Sequence, residues 1–437
     1  MLYKPPSEDA SARRFRLAAG LRACGRTYAD YPGYMRALLR IKKACALANA
    51  ATGKLDNARC RAIVRACDAI KEGAFPFPSP DALVDAAPLL DELLNAAIAA
   101  EASQGPSAPD VDPDRHVALS HTAHEAVACA DALFFRQGLE AVLGALPGLE
   151  DALRAKGEAF RTVIRMGRET LRDALPISLG ALFDAYAADV GGVRKRLAEE
   201  CARWDGCSLG ASCPGEAGAA FREEAAARLS ALCGVTLRPR AAVAVADTVM
   251  AHAHLEAVGL TAGRIARDLI LMTSGPQCGF GDVRIPAAQP GSSIMPGKVN
   301  PVIPDMIAQM GYRVSANHAG IAFAAYGSGL EKGCDAAMIR RAFHESAEML
   351  SKGLPLFVAK VVEGTEAGAS LDARALQAAW RPYHLAVRRL FGEEAAERVF
   401  RRARERGIPY VDALRQEGLL GEEEAAALFD PVRMARP

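Results

Sequence analysis

Apolar side chains recur at helical spacing along much of the chain. One apolar series lies between Pro32 and Gly53, a second precedes Gly167, and a third ends at the breaker Ser274-Gly275-Pro276. The series are Tyr34, Leu38, Ile41, Cys45 and Ala48; Leu149, Leu153, Phe160, Val163 and Ile164; and Val245, Val249, His252, Ile265, Leu269 and Met272. Steps of three and four residues place side chains on one face of a helix. The pattern predicts long amphipathic helices, the second of which continues towards Gly167.

Breaks in the helical pattern predict three domains. The Pro-rich stretch Gln104–Pro113 separates an N-terminal helical domain, 1–112, from a central bundle of long helices, 113–365. The pattern becomes shorter after Gly364, which predicts a small C-terminal helical domain, 366–437. Long helices with two partly apolar faces usually bury the second face between subunits, so we expect an oligomer.

Composition narrows the class of partner. The 437 residues are 51% hydrophobic and 6% aromatic, which favours a helical protein with a large core. Lys and Arg number 53 against 52 acidic residues, and this balance favours a small-molecule partner over nucleic acid. Charges between Val243 and Met272 argue against a membrane span. Eleven scattered cysteines and a start without an apolar core predict reduced thiols and a cytoplasmic location.

The segment Gly291–Pro301, GSSIMPGKVNP, carries the most chemistry for its length. It follows a Gly- and Pro-rich run from Gly275 to Pro290 that could act as a hinged lid. Small residues let backbone N–H groups surround an anion, and Lys298 and Asn300 add a charge and an amide. One of the two serines could remove a proton if this environment stabilised its alkoxide. A plain connecting loop is the alternative.

GSSIMPGKVNP resembles the signature of the aspartase/fumarase superfamily. Four other segments are also similar to the family: Ile41–Asp56 to its N-terminal helix, Met166–Gly180 (MGRETLRDALPISLG) to its GRTHLQDATPLTLG segment, Ala246–Pro286 to its long central helix and Gly418–Met434 to its ending. The resemblance covers most of the chain.

The resemblance implies an all-α homotetramer with a central bundle of long helices. Each active site would be built from three segments contributed by three subunits. Ser292 would remove the β-proton, and Lys298 and Asn300 would bind the substrate carboxylate. Ser293 and Met295 would also contact the substrate. No metal or organic cofactor is implied.

Three segments depart from the family pattern. Ser120–Glu125 reads SHTAHE where the family has an SQSTND-like motif, so that Thr122 keeps a hydroxyl while His124 and Glu125 replace Asn and Asp. Glu169 and Thr170 stand where the family has Thr-His. The segment Asp85–Asp91 replaces a GTSxNMNxNE-like motif, with nothing obvious to bind a carboxylate.

These departures suggest an unusual substrate. They remove donors for a second carboxylate and leave Glu125 and Glu169 as acidic residues that would favour a cationic leaving group. We therefore expect a carbon–nitrogen lyase acting on an amino acid or betaine, with ergothionase-like trimethylamine elimination as the favoured case. His124 and Thr170 are catalytic candidates, and Thr122 is a substrate contact. The alternatives are an aspartase- or fumarase-type enzyme acting on a four-carbon dicarboxylate and a catalytically silent homologue.

Other polar residues have plainer interpretations. His121 and His124 could bind a metal with Glu125, but they lack a further ligand motif. The alternatives for them are a polar helix face or a general-acid role. His252 and His254 are expected to be structural. A salt bridge is favoured over substrate binding for Arg168 and Arg172.

Overall fold

Helices dominate the computed structural model of the chain. The structure describes residues 32–71, 87–212, 214–240, 245–275, 278–295, 297–327, 336–368, 380–428 and 430. The α-helices are α1 Pro32–Ala51, α2 Asn57–Lys71, α3 Ala87–Ala102, α4 Ala123–Ala159, α5 Leu179–Arg203, α6 Pro214–Cys233, α7 Val245–Met272, α8 Val302–Tyr326, α9 Ala336–Phe357, α10 Trp380–Phe391, α11 Glu393–Arg406, α12 Tyr410–Gln416 and α13 Glu422–Leu428. Short π-helical turns span Pro113–Val117 and Val358–Val362.

Strands are few and short in the described part of the chain. They are β1 Ile164–Glu169, β2 Arg172–Ser178, β3 Gly206–Cys207, β4 Arg238–Pro239, β5 Val283–Arg284 and β6 Glu366–Ala367. β1 pairs antiparallel with β2, β3 parallel with β4, and β5 antiparallel with β6, each as a two-stranded pair. The predicted all-α class is therefore confirmed.

Most predicted helix limits agree with the structure. α1 begins at Pro32, where the fixed φ of proline suits a first helical turn, and it ends before Gly53, whose φ is +75°. α7 ends at Met272, just before the predicted breaker. Residues Ser103–Asp112 form the predicted non-helical connection after α3, and the helices from α10 onward are short, as expected.

The prediction that helix continues towards Gly167 is wrong. α4 ends at Ala159, and strand β1 begins at Ile164. The β-branched pair Val163 and Ile164 suits an extended chain, and Ile164 pairs with Ser178 in the hairpin. Gly180 allows this reversal, since a Cβ there would lie 2.3 Å from the carbonyl oxygen of Gly157. The period correctly marked Phe160 as buried but could not indicate where the helix stops.

Two compact units emerge from the contacts. One contains the described residues of Met1–Ala141, Leu197–His254 and Ala316–Glu348, and the other contains those of Val142–Arg196, Leu255–Ser315 and Met349–Pro437. In the first unit, α1 packs against α2 and α6, and α2 packs against α3. In the second, α10 packs against β2 and α11. The predicted limits of three domains at 112 and 365 stay a prediction.

A close helix contact and an apolar cluster contribute to the packing of the second unit. In the second unit, Gly259 of α7 and Gly311 of α8 meet closely, since a Cβ at Gly311 would lie 2.8 Å from the Gly259 carbonyl oxygen. The C-terminal helices enclose an apolar cluster of Tyr383, Val387, Ala396, Val399, Ala403, Tyr410, Ala413, Leu414 and Ala425.

The eight cysteines in the described residues are free thiols. Among the described helices, none has the length and apolarity required to cross a bilayer.

Candidate active site

The segment Gly291–Pro301 forms a loop that closes on itself. The backbone N–H of Ser292 donates to the Lys298 carbonyl at 2.9 Å, and the N–H of Lys298 donates to the Met295 carbonyl at 3.1 Å. Gly291 is required at the base because a Cβ there would lie 2.8 Å from the Lys298 carbonyl oxygen. Gly297 has a φ of +84°, which an L side chain rarely adopts. The loop thus brings Ser292, Met295 and Lys298 together.

The Ser292 hydroxyl sits within the reach of two backbone amides. The N–H groups of Ile294 and Met295 donate to Ser292 Oγ at 3.4 and 3.3 Å. Donors aimed at an oxygen favour its charged form, so these amides would reduce the free-energy cost of an alkoxide at Ser292. Ser292 is half-buried, whereas Ser293 beside it is exposed.

The end of the loop is exposed and carries the positively charged side chain of Lys298. Lys298 and Asn300 are exposed, and α8 begins at Val302, whose N–H donates to the Asn300 carbonyl at 2.9 Å. The N-terminus of a helix carries a partial positive charge and free N–H donors. Lys298, Asn300 and this helix terminus together could hold a carboxylate.

The Gly- and Pro-rich run before the loop is held near its middle by ion pairs to Asp282. Asp282, whose side chain is 2% exposed, forms a close ion pair with Arg168 and lies 3.5 Å from Arg165. Arg168 also lies over the ring of Phe280, 4.1 Å from its centroid. The expected salt bridge at Arg168 is confirmed, and burial lowers the pKa of the Arg165 guanidinium.

The second half of the same run lies open to solvent. Strand β5 pairs with β6, and the N–H of Gly368 donates to the Asp282 carbonyl at 2.9 Å. Beyond β5, residues 286–290 are exposed. The role of this run as a hinged lid stays a prediction.

Glu169 and Thr170 lie at the tip of the β1–β2 hairpin. Glu169 pairs with Arg172, leaving Thr170 and Leu171 as a two-residue loop with φ values of +47° and +61°. Positive φ at both loop residues is the geometry of a tight hairpin turn that usually contains Asn or Gly. Backbone held in this region by other residues costs free energy and is concentrated at functional sites. Both Glu169 and Thr170 are exposed.

Thr122 and Glu125 form a capping box at the start of α4. The Glu125 N–H donates to Thr122 Oγ1 at 3.2 Å, and the Thr122 N–H donates to Glu125 Oε2 at 3.0 Å. The other Glu125 oxygen accepts a short hydrogen bond from the Ser212 N–H. Sequence reasoning treated both residues as substrate contacts, although the pattern Thr-x-x-Glu is itself the signal for this cap. Their role towards a substrate stays a prediction.

The two histidines of this segment differ in exposure. His124 is exposed in the first turn of α4, whereas His121 is buried with its Nε2 atom 2.9 Å from the Lys42 ammonium. Burial, followed by the neighbouring Lys42 charge, holds the pKa of His121 well below its ordinary value. Neither histidine belongs to the group of potential metal ligands found among the described residues, His384, Glu393 and Glu397. The general-acid role of His124 stays a prediction.

Sequence reasoning missed two buried charged residues close to His121. Lys42 and Asp91 are 0% and 1% exposed, and Lys42 Nζ lies 2.7 Å from Asp91 Oδ1. Asp91 ends the stretch in which the sequence shows nothing obvious to bind a carboxylate, and Asp85 lies outside the described residues. The available signal was on α1, where Lys42 and Asn49 stand seven residues apart on its apolar face.

The expected structural role of His252 agrees with its surroundings. It is 0% exposed, and its Nε2 atom lies 2.9 Å from Ser346 Oγ. Burial, assisted by the nearby His318, lowers the pKa of His252 to about 3.

The three candidate segments are divided between the two compact units. The signature loop and the hairpin tip lie in the unit that contains Val142–Arg196 and Leu255–Ser315. Thr122, His124 and Glu125 lie in the other unit.

Comparisons with known proteins identify the class of this chain. The family model described as lyase matches residues 12–316. Aspartate ammonia-lyase from Pseudomonas canavaninivorans is 29% identical over 457 residues, covering 100% of this chain and 95% of that protein. Fumarate hydratase class II from Rhizobium meliloti is 29% identical over 429 residues, covering 92% of this chain and 90% of that protein.

A solved structure with the same fold supports this class. Fumarate lyase:delta crystallin from Brucella melitensis, solved with cobalt bound, is 30% identical with a TM-score of 0.87, covering 97% of this chain and 95% of that chain. The chain therefore belongs to the lyase family of the aspartase/fumarase superfamily.

Proposed function

We propose that the chain is a β-eliminating carbon–nitrogen lyase in which Ser292 is the base. The observation that carries this proposal is the Ser292 hydroxyl, which accepts hydrogen bonds from the N–H groups of Ile294 and Met295 inside the closed loop. Serine is a weak base unless donors stabilise its alkoxide, and these two amides are suited to that purpose.

The proposed reaction breaks one C–H and one C–N bond. Ser292 takes the proton from the carbon next to the one that bears the nitrogen. The electrons of that C–H bond form the double bond, and the C–N electrons leave with the amine. Negative charge developing on the first carbon spreads into its substituent, a carboxylate in a four-carbon acid or a heteroaromatic ring in a histidine betaine. Lys298, Asn300 and the start of α8 are suited to bind the substrate carboxylate.

A trimethylammonium group is the leaving group that we favour. It departs as neutral trimethylamine and needs no proton, so Thr170 in place of the family histidine would carry little cost. Glu169 is exposed at the hairpin tip and can face a cation, while Glu125 holds its carboxylate between two backbone amides. Glu169 is thus the better candidate for direct contact, and Glu125 would contribute through its fixed charge. The relatives reported above carry the names aspartate ammonia-lyase, fumarate hydratase and fumarate lyase, so the proposal of this substrate rests on the replaced residues.

A substrate panel tests the proposal. Purified protein would be incubated with aspartate, malate, argininosuccinate, histidine, histidine betaine and ergothioneine, and ultraviolet absorbance would report any conjugated alkene. The proposal requires alkene from a betaine together with released trimethylamine. Ser292→Ala run in parallel is the blank for each compound.

The relatives favour a second candidate, elimination from a four-carbon dicarboxylate. Turnover of aspartate or malate in the panel would establish that candidate. The departures from the family motifs would then reflect only a repacked substrate pocket. No turnover of any compound would instead support a silent homologue that binds a ligand.

We further propose that the chain assembles as a homotetramer with active sites shared between subunits. Three exposed aromatic residues support this: Tyr312, Phe323 and Tyr326 on α8 are 57%, 75% and 88% exposed. Steps of eleven and three residues place them on one face of the helix. Exposed aromatic side chains that recur along one face of a helix are typical of an interaction site.

Replacing Phe323 with Glu is expected to dissociate the assembly, because the charge would be buried in an apolar interface. Light scattering after size-exclusion chromatography should then report a smaller species, with loss of turnover. Leu390→Glu, at a side chain 57% exposed on α10, is the matched control and should leave the mass unchanged. A Phe323→Glu variant that keeps both mass and turnover would place the interface elsewhere.

A further inference from the structure

Three side chains from separate elements meet next to the Thr122–Glu125 segment. Lys42 of α1 lies 2.7 and 2.8 Å from the two oxygens of Asp91 of α3, and 2.9 Å from His121 Nε2. Asn95, one turn after Asp91, donates to Asp91 Oδ2 at 3.3 Å. Lys42, Asp91 and His121 are 0%, 1% and 6% exposed. Burying charges is costly, so a cluster this deep needs its partners to be complete.

The contacts fix the protonation of His121. The Lys42 ammonium has donors only, so the His121 Nε2 atom that faces it must be an acceptor. The proton of the neutral ring therefore sits on Nδ1, which donates to the Leu119 carbonyl at 3.1 Å. His121 thereby links the buried ion pair to the backbone immediately before Thr122.

The same stretch of backbone is held in an unusual conformation. Ser120 has a φ of +67°, and its hydroxyl donates to Asn49 Oδ1 at 2.7 Å. Asn49 Nδ2 donates in turn to the Leu119 carbonyl at 2.9 Å, so this carbonyl accepts from both Asn49 and His121. A non-glycine residue keeps such a φ only where its surroundings determine it. The turn that presents Thr122 and His124 is thus held by Lys42 and Asn49 of α1, and Lys42 is itself bound to Asp91 of α3.

We propose that Lys42, Asp91 and His121 are positioning residues that set the orientation of Thr122–Glu125 in the active site. None of the three is proposed to touch substrate. The inference rests on the proposed function for its catalytic consequence, while its conformational content stands on the contacts alone. In this chain Asp91, the last residue of the stretch that stands in place of the family's GTSxNMNxNE-like motif, would support the neighbouring Thr122–Glu125 segment through Lys42.

Matched variants separate positioning from folding. Lys42→Met with Asp91→Asn removes both buried charges at similar volume, a change that is often tolerated because neither charge is left alone. His121→Leu removes the acceptor for Lys42, whereas His121→Gln keeps a side-chain oxygen that can accept from it. Melting temperature confirms the fold, and hydrogen exchange of the peptide covering residues 117–125 reports on the segment without any substrate.

The expected result is exchange about tenfold faster in that peptide for His121→Leu and for the double variant. For the panel compound that the wild type converts, kcat/KM should fall about 10–100-fold with KM raised. His121→Gln should stay close to the wild type in both measurements. Unchanged exchange would overturn the proposal, as would faster exchange with unchanged kcat/KM. If the wild type converts no panel compound, the proposed function fails, and the exchange data still decide whether the cluster holds the segment.

Discussion

Ser292→Ala is expected to lower kcat by about 10²–10⁴-fold, the usual contribution of a general base. KM should change little, because the hydroxyl is assigned to the proton and not to the substrate carboxylate. The fold should be unaffected, since the hydrogen bonds that the Ser292 side chain receives from the described residues are long, at 3.4 and 3.3 Å, and lie in an exposed loop. Steady-state kinetics with the compound identified in the panel, together with a thermal melt, would check this.

Ser293→Ala is the matched control, because the two serines are adjacent and only Ser292 Oγ accepts the two amide hydrogen bonds. As a proposed substrate contact, Ser293 should affect KM more than kcat. If Ser293→Ala abolishes turnover and Ser292→Ala does not, the base is Ser293. Near-full activity in both variants would remove the loop from the proton-transfer step.

Asp282→Ala is expected to destabilise the protein by about 3–5 kcal/mol, the cost of leaving a buried charge without its partner. Arg165 and Arg168, which are 9% and 17% exposed, would lose the carboxylate that both face. The ion pair also joins the hairpin that carries Thr170 to the middle of the run before Ser292, so turnover should fall as well. Denaturant unfolding at fixed protein concentration measures the effect.

Glu366→Ala is the control for Asp282→Ala. Glu366 pairs with Arg284 at 3.3 Å, and both side chains are largely exposed, so its removal should change stability little. Equal unfolding midpoints for the two variants would contradict a structural role for the buried Asp282 pair.

The sequence was sufficient for the class of fold because periodicity and resemblance are both local signals. Apolar residues at steps of three and four located α1 and α7 and the part of α4 that contains Leu149 and Leu153. Those steps could not locate the end of α4, because a buried Phe160 fits the period whether or not the helix continues. The close approach of Gly180 to Gly157, 23 residues earlier in the chain, accompanies the reversal.

For the candidate site, the sequence supplied the residues but not their neighbours. The letters GSSIMPGKVNP indicated Ser292 and Lys298, and the structure added the amides on Ser292 Oγ and the closure of the loop. Thr122 and Glu125 were selected for substrate binding, while the structure shows that they also cap α4. A hydroxyl and a carboxylate three residues apart satisfy both interpretations, and only the hydrogen bonds reveal the cap.

The sequence by itself determined the family and the helical class and indicated the loop that we propose as the site of proton removal, since each depends on residues close together in the chain. The tertiary structure alone decided which charges are buried and what neutralises them. Lys42 and Asp91 are 49 residues apart, and Arg168 and Asp282 are 114 apart. The local sequence around each of these residues does not indicate which distant residue is its partner. The physical reason is that a charge can be buried only beside its counter-charge, and the packing of separate helices and strands is what brings the two together.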